Sequence, residues 1–266
     1  AASLMIECCL ALSLGNAYST LYSPVPLIDE YNNKQELLVS IEEQPDLTKK
    51  FYKAEVASYT NIIATDVEKP NVVLVFAEGL SQNIIEDERD IMPNARAFQE
   101  HAISFSNYYN HTSATYRGII GQLYSGHQIN NLDTNSLISI QSILKASGYN
   151  TAFINTEPKN KEYTTYLEHM NFDSVISDNQ LDGPIRSISD KHAFELLLET
   201  MKTMSETKDG DAQPFFITIY TFGTHNTFDS TDEIFQDGTD RVLNKFYNLD
   251  YQLGAFLTAF NESEFS

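Results

Sequence analysis

The sequence predicts a three-layer α/β fold, with helices packed on both faces of a parallel sheet. Three observations carry this expectation. Val72-Val73-Leu74-Val75-Phe76 is an apolar run of strand length, rich in β-branched residues and free of polar alternation, as in a strand buried on both faces. Phe215 to Tyr220 repeats the pattern late in the chain. Between and after these runs lie segments with apolar residues at helical spacing, and alternation of that kind argues for a sheet wrapped by its own crossover helices.

In chain order, Glu36 to Asn61 carries a loose helical pattern through Ile41, Leu47, Phe51, Tyr52 and Val56, and reads as a lead-in arm. Glu68-Lys69-Pro70-Asn71 ends it, because the residue before proline is pushed out of the α region. The first buried strand follows. Pro93 to Ala102 reads as a short helix, Ile103 to Tyr109 alternates as a strand, and Thr115 to Tyr124 reads as a helix with Ile119, Ile120 and Leu123 inward. Ser136 to Ala146 places Leu137, Ile140 and Leu144 at helical spacing and is closed by Gly148, a normal C-terminal signal. Tyr149 to Ile154 is a strand, Lys161 to Met170 a helix, and Ser189 to Met204 a long amphipathic helix opened by a Ser189-Asp190 cap. After the strand Phe215 to Tyr220, the segment Thr239 to Phe260 sets Val242, Phe246, Leu249, Leu253, Phe256 and Leu257 on one stripe.

Bulk properties narrow the function. The chain of 266 residues is 42% hydrophobic, ample for a core, and carries a formal charge of -20 from 37 acidic and 17 basic residues. Nucleic-acid partners are excluded, since phosphate backbones are held by clustered Lys and Arg. Cys8 and Cys9 are the only cysteines and form no disulfide framework. The stretch Ala1 to Leu14 is apolar but interrupted by Glu7, shorter than the roughly 20 residues of a membrane span, and without the basic flank of a signal peptide. It reads either as the tail of a membrane helix or as an ordinary packing helix. The chain starts without Met and closes on a helix where a βα pattern normally runs on into another strand, so it reads as a piece of a longer protein.

The candidate chemistry sits at strand exits. Glu78 stands two residues past the first buried strand, where open α/β sheets keep their sites, and is a candidate ligand for a divalent cation or a plain loop acid. Thr115 opens a helix, within His111-Thr112-Ser113-Ala114-Thr115-Tyr116-Arg117-Gly118. A threonine hydroxyl needs a base or a metal ion to become a nucleophile, and a helix start favours an anionic phosphate or sulfate. The alternative is that Thr112, Ser113 or Thr115 simply caps the helix. Arg117 is suited to clamp an oxygen of a transferred group or to pair with a surface acid. His225, in Gly223-Thr224-His225-Asn226-Thr227 after the last strand, is suited to bind an anion or protonate a leaving group.

Together these residues resemble the sulfatase-like branch of the alkaline phosphatase superfamily, and within it the lipoteichoic acid synthase and phosphoglycerol transferase group. The resemblance rests on Pro70 to Ser81, Met92-Pro93-Asn94-Ala95, Phe105-Ser106-Asn107-Tyr108-Tyr109 leading into Thr115, Ile188-Ser189-Asp190-Lys191-His192-Ala193-Phe194, and Pro214-Phe215-Phe216 running to Thr224-His225-Asn226. It implies an α/β/α sandwich of alkaline phosphatase/sulfatase type, incomplete at its C-terminus, with residues 1–69 as lead-in arm or anchor end and 70–266 as the catalytic domain. It implies a membrane-anchored, extracytoplasmic phosphotransferase that moves phosphoglycerol or phosphoethanolamine from a phospholipid to a glycan or lipid acceptor. Thr115 matches the nucleophile, Glu78 and Thr115 the ligands of a manganese, magnesium or zinc ion, and His225 the histidine on the substrate phosphate.

Two departures qualify it. The family's Asp-His metal pair would fall after Ser266, so the chain as it stands is expected to hold metal poorly. Where lipoteichoic acid synthases place a Trp and an Arg on glycerol phosphate, this chain offers Lys161, suited to a phosphate, and Tyr163. A phosphodiesterase or sulfatase-type hydrolase and a non-catalytic surface binding domain are the competing readings. The lack of a Pro-Ser-Arg tripeptide disfavours sulfate ester cleavage.

Overall fold

The computed structural model describes residues 69–105, 107–109, 115–124, 138–181, 187–205, 213–225 and 232–263. The lead-in arm, Cys8 and Cys9, Thr112 and Ser113 lie outside them. Four strands, β1 (Val72–Phe76), β2 (Asn150–Asn155), β3 (Ser174–Ser177) and β4 (Phe215–Tyr220), form one parallel sheet in the order β1-β4-β2-β3. The helices are α1 (Gln82–Ile85), α2 (Pro93–Glu100), α3 (Thr115–Tyr124), α4 (Ile140–Ala146), α5 (Lys161–Glu168), α6 (Asp190–Ser205) and α7 (Arg241–Asn261).

Strand periodicity sorts the core into two layers, because successive side chains point to opposite faces. Val73, Val75, Ala152, Ile154, Phe215, Ile217 and Ile219 face one way and pack with Ala193, Phe194, Leu197 and Met201 of α6 and Leu243, Leu249 and Phe256 of α7. The intervening Val72, Leu74, Phe76, Phe153, Phe216 and Tyr220 face the other way, against Ile119 and Leu123 of α3 and Tyr163, Tyr166 and Leu167 of α5. The three-layer expectation therefore holds, and β4 is buried along its whole length at the centre of the sheet.

Several local expectations are corrected. The described residues of Ile103 to Tyr109 join no ladder. Ile103, Phe105, Tyr108 and Tyr109 are exposed, so their alternation has no strand to pair with. The helix expected from Ser136 starts at Ile140, where Ser139 accepts the Ser142 N–H at 3.2 Å as its cap, and it buries Gln141 and Ser142 rather than Ile140. Strand β3 and helix α1, each four residues long, were not expected: neither is long enough to show a period. Among the described residues no helix is long and apolar enough to cross a membrane.

Two buried carboxylates tie elements together over long sequence distances. Asp250 of α7 accepts the N–H groups of Asn94 at 3.0 Å and Ala95 at 2.7 Å, together with the Asn94 side-chain amide at 2.8 Å. Met92, the residue before α2, offers no side-chain cap, so the α7 carboxylate satisfies the orphan donors of the first turn. Asp190, the first residue of α6, is fully buried and turned away from its own helix, which Ser189 caps through the His192 N–H at 3.2 Å. Its Oδ1 accepts the Gly223 N–H at 2.9 Å beyond β4. Gly223 has to be glycine, because a Cβ there would lie 2.1 Å from Asp190 Oδ2.

Two outcomes follow for stability. Asp250→Ala strands two helix N–H groups and should lower unfolding free energy by about 2–4 kcal/mol in urea titration, with Asp250→Asn losing less. For Asp190, desolvation, reinforced by the nearby Asp232 and opposed by the Gly223 and Phe222 N–H groups, pushes the carboxyl pKa up to about 6 from 3.8. Below about pH 4 the group is neutral both folded and unfolded; between there and about 6 the native state keeps a proton that the unfolded chain releases, so stability falls as pH rises. Asp190→Asn escapes this loss and should be more stable than the parent at pH 7.5, by up to about 3 kcal/mol, with the advantage shrinking towards pH 4.5.

Candidate active site

All four strands are parallel, so their carboxyl ends share one edge of the sheet, where the exits of β1, β2 and β4 lie side by side. Phe76 pairs with Tyr220 in the last register of β1 and β4, and the Thr221 N–H still reaches the Phe76 carbonyl at 2.9 Å. The two exits then leave together. The Glu78 N–H donates to Thr221 Oγ1 at 3.2 Å, and the Thr224 hydroxyl donates to the Glu78 carbonyl. Gly79, at φ +60°, makes the turn that lets the chain leave at once for α1.

With its backbone held from the β4 side, Glu78 turns its carboxylate to α3. The Thr115 hydroxyl donates to Glu78 Oε2 at 2.7 Å, across 37 residues of sequence. Both side chains are half-buried. Thr115 is the first residue of α3, so its hydroxyl stands at the helix's N-terminal end while its hydrogen is directed to the carboxylate. A carboxylate and a hydroxyl oxygen this close are hard donors of the kind that magnesium, manganese or zinc accepts, and the pair fits part of such a site. Among the described residues no group of three or more His, Cys, Asp and Glu side chains comes together to complete it.

The other candidates stand at varying distance from this pair. His225 follows Thr224 directly, which puts its backbone one residue from the Glu78 contact. Its ring stacks on Phe222 with centroids 4.7 Å apart and planes 7° off parallel, its N–H donates to the Phe222 carbonyl at 3.0 Å, and its carbonyl accepts the Lys245 ammonium at 3.0 Å. Arg117 is exposed and lies over the Tyr116 ring, 5.5 Å from its centroid, with Nε donating to the Tyr116 hydroxyl at 3.0 Å. Among the described residues it hydrogen-bonds Tyr116 and not Glu78 or Thr115. Lys161 opens α5 just beyond the exit of β2, exposed, behind an Asn160 cap that accepts the Tyr163 N–H at 3.3 Å.

Sequence reasoning gave no weight to an aromatic cluster behind these residues. Tyr116, Tyr166, Tyr163, Tyr220 and Phe222 follow one another in ring contact as far as His225. The Tyr220 hydroxyl donates to Glu157 at the β2 exit, and Glu157 also accepts the Asn160 amide at 3.1 Å. The Tyr163 hydroxyl is buried with no hydrogen-bond partner among the described residues. Desolvation first, then the charges of Glu157 and Glu78 with Tyr166 between them in order, holds its pKa well above the usual phenol value. It therefore remains a proton donor. The signal that could have found these groups is the pair Tyr163 and Tyr166 in Lys161 to Met170, of which only Tyr163 was singled out above.

No curated protein sequence matches the chain. Among solved structures, it superposes on a protein in the alkaline phosphatase superfamily from Vibrio parahaemolyticus with a TM-score of 0.64 and 19% identity, over 84% of this chain and 61% of that one. It also superposes on the lipoteichoic acid synthase LtaP from Listeria monocytogenes with a TM-score of 0.62 and 16% identity, over 80% and 59%. The C-terminal periplasmic domain of EptC from Escherichia coli, in complex with zinc, gives 0.52 and 17%, over 74% and 61%. The chain thus spans roughly three fifths of the length of these structures. The Sulfatase family model matches residues 70–264, most of the chain, and the chain belongs to that family.

Proposed function

We propose that the chain carries the nucleophile side of a metal-dependent phosphotransferase site, which moves a phospholipid headgroup, phosphoglycerol or phosphoethanolamine, through a phosphoryl group held on Thr115. The observation that carries this reading is the 2.7 Å hydrogen bond from Thr115 Oγ1 to Glu78 Oε2 at the carboxyl edge of the sheet. Glu78 orients the hydroxyl so that its hydrogen points to the carboxylate and an oxygen lone pair is available to phosphorus. In the first half-reaction Oγ1 bonds to phosphorus, the bond from phosphorus to the lipid alcohol breaks, and that alcohol leaves with a proton. In the second, an acceptor hydroxyl on a glycan or lipid attacks the same phosphorus and frees Thr115.

Glu78 and Thr115 are the residues that would hold manganese, magnesium or zinc, and such an ion favours the ionised form of the hydroxyl. The helix dipole at the start of α3 favours the anionic phosphoryl group. His225, Arg117 and Lys161 are assigned to the substrate phosphates: His225 from the β4 exit, Lys161 from the start of α5, and Arg117 after release from the Tyr116 ring. Residues 70–266 form the catalytic domain and 1–69 its lead-in arm, attached to a membrane with the site on the extracytoplasmic side. That assignment is supported by the likeness to LtaP, a lipoteichoic acid synthase, and to the periplasmic domain of EptC bound to zinc.

The full-length protein with manganese, given vesicles of fluorescent phosphatidylglycerol or phosphatidylethanolamine, should release labelled diacylglycerol and leave a phosphorylated peptide containing Thr115. Thr115→Ala should lower turnover at least about 1,000-fold while costing only about 1 kcal/mol of stability. Retained turnover in that variant would reject Thr115 as nucleophile. Glu78→Gln keeps the side-chain size but removes the charge, and should raise the manganese concentration needed for half-maximal activity about tenfold or more. An unchanged requirement would remove Glu78 from the metal site.

A further inference from the structure

Asp190 presents a puzzle of cost. A fully buried carboxylate with no cation against it is unfavourable, and one of its oxygens, Oδ2, has no hydrogen-bond partner among the described residues. If its task were only to start α6, it would be redundant, because Ser189 already caps that helix. Its remaining contacts go to the exit of β4. There Oδ1 takes the Gly223 N–H at 2.9 Å, the neighbouring Phe222 N–H favours the ionised carboxyl, and Gly223 is pressed so closely on the carboxylate that no side chain fits.

The segment so held is the one that organises the site. On one side of Phe222-Gly223 stands Thr221, which accepts the Glu78 N–H; on the other stands Thr224, which donates to the Glu78 carbonyl, and then His225, stacked on Phe222. We propose that Asp190 is a positioning residue: by pinning the backbone at Phe222 and Gly223 it fixes the exit of β4, and through that exit it sets the stance of both Glu78 and His225. A charged acceptor suits this task better than a neutral one, because hydrogen bonds to a carboxylate are roughly twice as strong. The residue thus trades stability for a rigid loop, the exchange expected where a site needs preorganisation.

The kinetic part of the test rests on the phosphotransferase reading; the exchange part does not. In the manganese-loaded full-length protein, with bis(p-nitrophenyl) phosphate and the fluorescent phospholipids as probes, Asp190→Ala should lower kcat about 100-fold, with little change in KM. Asp190→Asn should recover part of that loss even though it is the more stable protein at neutral pH. In a His225→Ala background, Asp190→Ala should cost about tenfold rather than about 100-fold, since part of its effect passes through His225 and the rest through Glu78. Amide exchange at Phe222 and Gly223 should be about 100-fold faster in Asp190→Ala, while Ile217 and Ile219 in β4 keep their protection. Activity that simply follows stability across the three proteins would overturn the proposal, as would unchanged exchange at Phe222 and Gly223. A parent protein inert towards every probe, with the exchange difference present, would instead count against the phosphotransferase reading and leave the pin in place.

Discussion

Glu78 reaches Thr115 because its own peptide is held on both sides by the strand beside it. A side chain two residues past a strand normally has the freedom of a loop, and a carboxylate aimed from a loop would lose rotamer and backbone entropy on every engagement. Here the N–H goes to Thr221 and the carbonyl receives the Thr224 hydroxyl, so both backbone groups of Glu78 are committed. The hydrogen bond to Thr115 is then made by a carboxylate that is already placed. That constraint depends on topology. The order β1-β4-β2-β3 sets β4, the last of the described strands, directly beside β1, the first of them, so that residues 221–225 leave the sheet next to residue 78.

The same order explains why the two faces of the sheet do different work. The face covered by α6 and α7 is aliphatic with a few phenylalanines and holds the structural carboxylates Asp190 and Asp250 at its margins. The face covered by α3 and α5 ends, at the site, in tyrosines and Phe222. Such rings bury large areas at the cost of few rotatable bonds, and edge-to-face contacts such as Tyr163 on Tyr220, 5.2 Å apart and at 64°, leave little room for sliding. His225 stands at the end of this row through its stack on Phe222. A histidine that meets a phosphate gains from such a floor, because the ring plane is set before the ligand arrives.

Much of this was legible in the sequence, and the limits have physical causes. Strands β1 and β4 announced themselves as unbroken apolar runs because both of their faces are covered. Helices α3 and α7 were legible from their stripes. That Glu78 and Thr115 would stand together was legible from their places, one past a strand and the other at a helix start, on the edge where parallel α/β sheets collect their chemistry. Ile103 to Tyr109 misled because alternation records which side chains are apolar, whereas a strand also needs a neighbour to accept its hydrogen bonds. Asp190 misled in another way. Beside Ser189 it looked like part of a helix cap, but its partner is Gly223, 33 residues away, and no local pattern records such a contact. The Asp250 contact to α2, across more than 150 residues, is hidden for the same reason.

The charge of the chain sharpens the electrostatic problem at the site. With -20 overall, the protein repels a phosphate at long range, yet the field of exposed charges is screened beyond about 8 Å at physiological ionic strength. What a phosphoryl group meets within that distance is therefore decisive. Glu78 and Glu157 stand at the exits of β1 and β2, and among the described residues neither forms an ion pair. Against them stand the start of α3 and the undissociated phenol of Tyr163, neither of which carries a full positive charge, and the exposed Arg117 and Lys161 in the first turns of α3 and α5. Dipoles of that size do not outweigh two carboxylates in a half-buried setting. On the proposed reading, a cation held by Glu78 and Thr115 would offset the Glu78 charge as an anionic group approaches, a task that their hard-oxygen pairing suits.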